Sequence, residues 1–181
     1  NDLTYAGGIN ASDVTLTAGS DITTNGGGLL QGETLTLEAT TGSIDATSDL
    51  TGQTIVVTSA NDITIAGDIT SVDDLTLAAP NNLTYAGVAS TDGMLSLSGE
   101  TITISSGSLT GGTVDATSSG SMDLATNITS TGGTTLEASN DLTYAGEANA
   151  GDALSLSGET ITVSSGSLTG GTVDATSSGS M

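Results

Sequence analysis

Asp2, Asp21, Asp62 and Asp141 each stand directly before the first large apolar residue of a recurring phrase, and Asn82 holds the same place in another copy. Carboxylates piled on one another in this way repel unless a cation lies between them. Hard cations such as Ca²⁺ take oxygen ligands of this kind. The column Asp2, Asp21, Asp62, Asp141 is therefore the candidate Ca²⁺ site, and Ca²⁺ is the one candidate ligand; no cofactor is required. Against it, the glycine-clustered nonapeptide of calcium-binding β-rolls is absent. An Asp or Asn at a bend also serves as an Asx turn, bonding to nearby backbone.

Paired carboxylates can also act as acid and base across a glycosidic bond, and successive copies bring Asp115 towards Asp74 or Asp92. Such chemistry on an acidic sugar needs a Lys or Arg to hold it, and other hydrolytic routes need a His base or a Cys nucleophile. The chain has no Lys, Arg, His or Cys, and no copy of the phrase carries a specialised set of groups. The expectation is a non-catalytic protein with no catalytic residues.

Twenty-one acidic residues and no basic side chain give a formal charge of −21. Phosphate backbones and anionic membrane surfaces would be repelled, so nucleic acid and anionic membrane are excluded as partners. Self-repulsion must be offset by salt or bound cations, which suits a saline exterior, and trypsin has no site to cut. The disordered reading of an acidic chain fails because the apolar residues are regularly placed. No stretch is long and apolar enough for a membrane span. Three Asn-x-Ser/Thr sequons, at Asn10, Asn82 and Asn127, are of a kind that arises by chance in so Thr- and Ser-rich a chain.

The elements that position these groups follow from the spacing. The first large apolar residues are Leu3, Ile22, Ile44, Ile63, Leu83, Ile102, Met122, Leu142 and Ile161, separated by 19 to 22 residues. Two residues on comes a second column: Tyr5, Thr24, Ala46, Ile65, Tyr85, Ile104, Leu124, Tyr144 and Val163. A middle column follows, through Ile9, Leu29 or Leu30, Leu50, Ile69, Ala89, Leu109, Ile128, Ala148 and Leu168. The last two columns run from Val14 to Val173 and from Leu16 to Ala175. Spacing of i, i+2 with a Thr, Ser or Asp between is the mark of a strand with one buried face. Gly, Asn, Asp and Ser fill the links, as turns require.

Each copy thus reads as strand, turn, short middle strand, turn, strand, turn. One such coil cannot bury its own apolar edge, but coils above and below can. The expected fold is all-β: a right-handed parallel β-helix of about nine coils with about 20 residues in each. Nine coils at a strand spacing of about 4.8 Å make a rod roughly 43 Å long. The three tyrosines share one column, so their rings should fill the interior with hydroxyls near a corner. Outward Thr4, Thr23, Thr64, Thr84, Thr103, Thr143 and Thr162 form a single ladder. Ice-binding faces want two such ranks side by side, so these residues are taken as good exposed strand formers.

A longer repeat overlies the short one. Residues 95–122 and 154–181 are identical except for Ile104 against Val163, at a separation of three coils. Residues 1–181 therefore form one continuous array with near-identical cassettes at 81–139 and 140–181, the second incomplete. The array starts and stops in mid-rhythm, which reads as a segment of a longer protein.

Asn61-Asp62-Ile63-Thr64-Ile65-Ala66-Gly67-Asp68-Ile69-Thr70-Ser71, followed by Asp74-Leu75-Thr76-Leu77-Ala78-Ala79, resembles the haemagglutinin repeats of filamentous-haemagglutinin-like adhesins. So do Asn140-Asp141-Leu142-Thr143-Tyr144-Ala145-Gly146 and Glu33-Thr34-Leu35-Thr36-Leu37-Glu38-Ala39. The resemblance covers essentially the whole chain. It implies a very long β-helical rod, exported by two-partner secretion through a partner pore and carrying adhesive or toxic modules. The expected role is a structural rod or stalk segment of a bacterial secreted or surface adhesin, outside the cell. Its partners would be adjacent repeats or end-to-end copies, and a host or cell-surface receptor or glycan. The alternative is a subunit of an extracellular fibre or sheath, joined end to end.

Overall fold

A strand that alternates apolar and polar residues has one face to hide, and here the neighbour that hides it is the next copy of the same phrase. The computed structural model describes residues 1–179. Among them the secondary structure is β-strand without helix, and the strands pair in parallel with partners one coil away. The chain is a β-solenoid of about nine turns with about 20 residues in each.

The inward columns stack as the spacing predicts. Leu3 pairs with Ile22, Ile22 with Ile44, Ile44 with Ile63, and Ile63 with Leu83. The column continues through Ile102, Met122 and Leu142 to Ile161. The ambiguity at Leu29 and Leu30 is resolved by register: Leu30 pairs with Ile9 and Leu50 and is fully buried, whereas Leu29 is 43% exposed. Ile22, Leu35, Ile55, Ile63, Leu77, Ile102 and Leu136 have no more than trace exposure, so the interior is a continuous apolar column. Burying each such side chain is worth about 1.5–3 kcal/mol against leaving it in water.

The turns depart from expectation in four coils. Leu30–Ala39 and Leu50–Ser59 run from the middle strand into the last strand without a break. Asn82–Ser90 and Thr101–Gly111 do the same from first strand to middle strand. The backbone bends but keeps its bonds to the coil beside it: Glu33 N–H still donates to Ser12 O at 2.5 Å. A register shift between Tyr85 and Ala86 absorbs the corner in one pair, and one between Tyr144 and Ala145 does so in another. Glycine is required where carbonyls of adjacent coils press closest. Gly107 has φ of 93°, and a Cβ there would run into the Gly87 carbonyl.

Two polar intrusions into the columns are resolved differently. Thr134 stands where other coils have Leu, Ile or Val, and its Oγ1 lies 2.8 Å from Ser130 Oγ, which also donates to Gly132 O. Thr24, opposite Tyr5 and Ala46, is fully buried and its Oγ1 has no partner.

Because Ile102 is enclosed by Leu83 below and Met122 above, Ile102→Asp should bury an unpaired charge at a cost of several kcal/mol, on the order of 3 or more. The loss will appear as a lowered denaturant midpoint and as new glutamyl-protease cleavage at neighbouring Glu100; an unchanged midpoint would contradict the stacking.

Candidate functional site

At several corners the ladder between coils runs short of acceptors. There the residue just before an inward apolar residue has an N–H aimed at the preceding coil where the turning backbone offers no carbonyl. Elsewhere a carbonyl is in reach, as Asn81 O is for Thr101 N–H and Gly93 O for Thr113 N–H. Where none is, a carboxylate or amide on the preceding coil fills the gap. Asp21 Oδ1 accepts from Ser43 N–H at 2.8 Å, and Asp62 Oδ1 accepts from Asn82 N–H at 3.0 Å and from Asn82 Nδ2 at 2.9 Å. These two belong to the column picked out from sequence. The bonds cross from coil to coil, so the expected local Asx turn is replaced by an inter-coil cap.

The four candidate cation ligands occupy one column but do not converge. Reading up the rod, this column is Asp2, Asp21, Ser43, Asp62, Asn82, Thr101, Ser121, Asp141 and Thr160. Only Asp2 and Asp21 are on adjacent coils; the coil of Ser43 separates Asp21 from Asp62, and three coils intervene between Asp62 and Asp141. Among the described residues no group of three or more acidic, His or Cys side chains is placed to hold a metal ion. Asp115 and Asp74 are not brought together either. Asp115 lies on the flat of the last strand between Ser96 and Thr135, whereas Asp74 stands at a corner, where its Oδ1 accepts from Met94 N–H at 2.8 Å.

A second corner column went unread in the sequence. Asp49 Oδ1 accepts from Asp68 N–H at 2.9 Å, Asp68 Oδ1 from Val88 N–H at 2.8 Å, and Asn127 Oδ1 from Glu147 N–H at 2.9 Å. The signal was present: Asp49, Asp68 and Asn127 each directly precede a middle-column Leu or Ile. Buried hydroxyls do the converse job for stranded carbonyls. Ser71 Oγ donates towards Gln53 O and Asp74 O, and Ser118 Oγ towards Glu100 O and Ser121 O.

The outward ranks are less uniform than the inward ones. The Thr ladder on the first strand is broken by Asp45, between Thr23 and Thr64, and by Asp123, between Thr103 and Thr143. On the middle strand the outward rank from Asn10 and Gln31 through Thr51, Thr70 and Ser90 to Thr169 holds no charge. Carboxylates thus gather at the corners and on two of the three faces. An open groove of about 400 Å³ runs beside that rank, past Glu33 and Gln53, and another of about 560 Å³ passes Ala78 and Pro80.

The tyrosines behave as interior fillers. Tyr5 donates its hydroxyl to Gly8 O at 2.8 Å. Tyr85 and Tyr144 are fully enclosed and their hydroxyls have no partner. Burial, reinforced by the charges of Asp68 and Asp49, pushes the Tyr85 phenol well above its ordinary range. Burial pushes Tyr144 up to about 12; Glu147 adds to the rise, and the Ile128 amide, already bonded to Glu147 O, opposes it only in part.

With this geometry established, comparison with known proteins adds no relative: the chain matches no protein-family model, and no curated protein or solved structure is significantly similar to it.

Asp68→Ala removes an acceptor and strands the Val88 amide, at an expected cost of about 1 kcal/mol. Asp68→Asn keeps the acceptor and removes the repulsion from Asp49, so its denaturant midpoint should equal or exceed that of the parent; an Asn variant as weak as the Ala variant would contradict the capping role. Tyr144 gives a pH signature. Its native proton is held to about 12, whereas a phenol in the unfolded chain releases it near 10. Between those values the unfolded state binds fewer protons, so the contribution of Tyr144 to stability is complete below pH 10 and is lost as pH rises towards 12. In a Tyr5→Phe/Tyr85→Phe chain, tyrosinate absorbance should develop with a midpoint near 12 and jump at lower pH when denaturant is added.

Proposed function

We propose that this chain is a structural, non-catalytic rod: a stalk or spacer segment of a secreted or cell-surface adhesin, working outside the cell. The observation that carries this reading is the register of the coils. Every inward column continues from the first coil to the ninth with a partner on each successive coil. An architecture made by iteration sets length and stiffness, and adding or removing coils changes reach without changing chemistry. Carboxylates confined to the surface keep such rods soluble and apart in a salt-bearing medium. The resemblance to filamentous-haemagglutinin-like repeats points the same way, and it supplies the adhesin setting and the receptor or glycan that a displayed module would engage. Cations are held diffusely by the acidic skin, and no specific Ca²⁺ site is needed.

The reading is tested by altering length. Inserting one further copy of residues 81–139, which adds three coils, should lengthen the particle seen by small-angle scattering by about 14 Å, at about 4.8 Å per coil. Its cross-section and stability per coil should be unchanged. A particle that widens, or a chain that loses its fold, would count against a spacer. A mass that climbs with concentration would favour the fibre or sheath subunit instead.

A further inference from the structure

One corner does not obey the ladder. The step from Ile22 to Ile44 is 22 residues, the longest in the chain, and the surplus lies in Asn25-Gly26-Gly27-Gly28-Leu29. The base of this loop is fixed. Asn25 pairs with Ala6, the backbone of Gly28 presses on that of Gly7, and Leu29 O accepts from Ile9 N–H at 2.9 Å. Its tip is open: Gly26 and Gly27 are exposed, as is Asn25 at the base, and a Cβ added at Gly26 or Gly27 would meet nothing within 4 Å. Both glycines have positive φ, 101° and 61°.

The geometry points to Asn25-Gly26 as a site of spontaneous covalent modification, at which the asparagine converts through a cyclic imide to an aspartyl or isoaspartyl linkage. The Gly26 backbone nitrogen, on losing its proton to solvent, attacks Cγ of Asn25. A C–N bond forms, the bond from Cγ to Nδ2 breaks, and Nδ2 leaves as ammonia. Water then opens the five-membered ring at either carbonyl. Opening at one regenerates a normal peptide with an aspartate at position 25, and opening at the other leaves a β-linked backbone one methylene longer. Water is the only co-reactant, and nothing is oxidised or reduced.

Two requirements select this position over the other asparagines. The attacking nitrogen must be free, and the following residue must swing without steric cost. At Asn10, Asn61, Asn81 and Asn127 the next residue's N–H is donated across to another coil: Ala11 to Gln31 O, Asp62 to Ser43 Oγ, Asn82 to Asp62 Oδ1 and Ile128 to Glu147 O. Asn25 alone is followed by glycine, the residue with the widest choice of φ and ψ. Asp92-Gly93 supplies an internal comparison. It can form the same ring by loss of water, yet Gly93 N–H is 3.3 Å from Thr91 Oγ1 and the glycine is packed against the Asp73 carbonyl. The modification adds one negative charge beside exposed Leu29.

The test is to hold the folded full chain in mildly alkaline buffer made with heavy-oxygen water, then map peptides by mass after pepsin digestion and probe them with an isoaspartyl methyltransferase. Position 25 should gain the deamidation mass, incorporate heavy oxygen and become a methyl acceptor at least about tenfold faster than Asn10 or Asn149, reflecting the freedom of glycine. Asn25→Gln, which leaves both glycines in place, should abolish the rapid phase. In denaturant, Asp92-Gly93 should become a methyl acceptor as well, because the clamp on Gly93 is gone. Equal conversion of Asn25 and Asn149 in the folded chain, or a methyl acceptor that persists at that loop in Asn25→Gln, would overturn the assignment.

Discussion

A backbone N–H taken out of water must find an acceptor, and in a stack of parallel coils that acceptor is chiefly on the adjoining rung. On the flats of the coil the carbonyls are there in sequence, and the strands need nothing more. At several corners the chain turns and the supply fails. That shortage explains side chains that otherwise look decorative: Asp21, Asp49, Asp62, Asp68, Asp74 and Asn127 each lend an oxygen to an amide on the next coil. It explains the buried Ser71 and Ser118 as donors to carbonyls left over at other bends. It also explains why strands run unbroken through Gly32 and Gly52, where a residue without a side chain lets the ladder turn the corner intact.

Stacking puts like upon like, which is favourable for Leu over Ile and unfavourable for Asp over Asp. Asp49 and Asp68 tolerate each other because the amide of Asp68 is bonded to the carboxylate of Asp49, so that a backbone dipole stands between two charges. Where a corner offers Asn or Ser instead, as at Asn127 and Ser43, an acceptor is kept without the charge. The acidic character of the surface is thus partly a by-product of capping: aspartate is a good acceptor at a bend, and with no basic residue in the chain its charge is answered only by solvent ions.

The inward columns were legible because burial has a strict period and admits few residue types. All five were read in register, including the tyrosines, and the one ambiguity, Leu29 against Leu30, was an ambiguity of two candidates that only pairing could separate. The corners were legible in part. Asp2, Asp21, Asp62 and Asp141 were grouped correctly as a column, but sequence does not reveal that a carboxylate bonds upward to another coil rather than to its own turn. The column of Asp49 and Asp68 escaped notice because it coincides with the middle strand, whose apolar signal is a single residue per coil. The expected turns at Gly32 and Gly52 were absent because glycine marks both a break and a bend. The Thr ladder was read past Asp45 and Asp123, whose carboxylates occupy the same rank; an outward position constrains shape but not identity.

Near-identity between residues 95–122 and 154–181 has a cost during folding. A nascent coil recognises its neighbour only by the pattern of its edge, and two edges in this chain are all but the same. Docking the wrong one loops out three coils while most of the local contacts remain satisfied, so little in the contact energy alone penalises the mistake. Orderly growth from one end, with each coil laid on its predecessor before the duplicate emerges, avoids the trap. Refolding of the whole chain from denaturant exposes both copies at once, and a fraction of molecules must then undo a slipped stack before they can complete the rod.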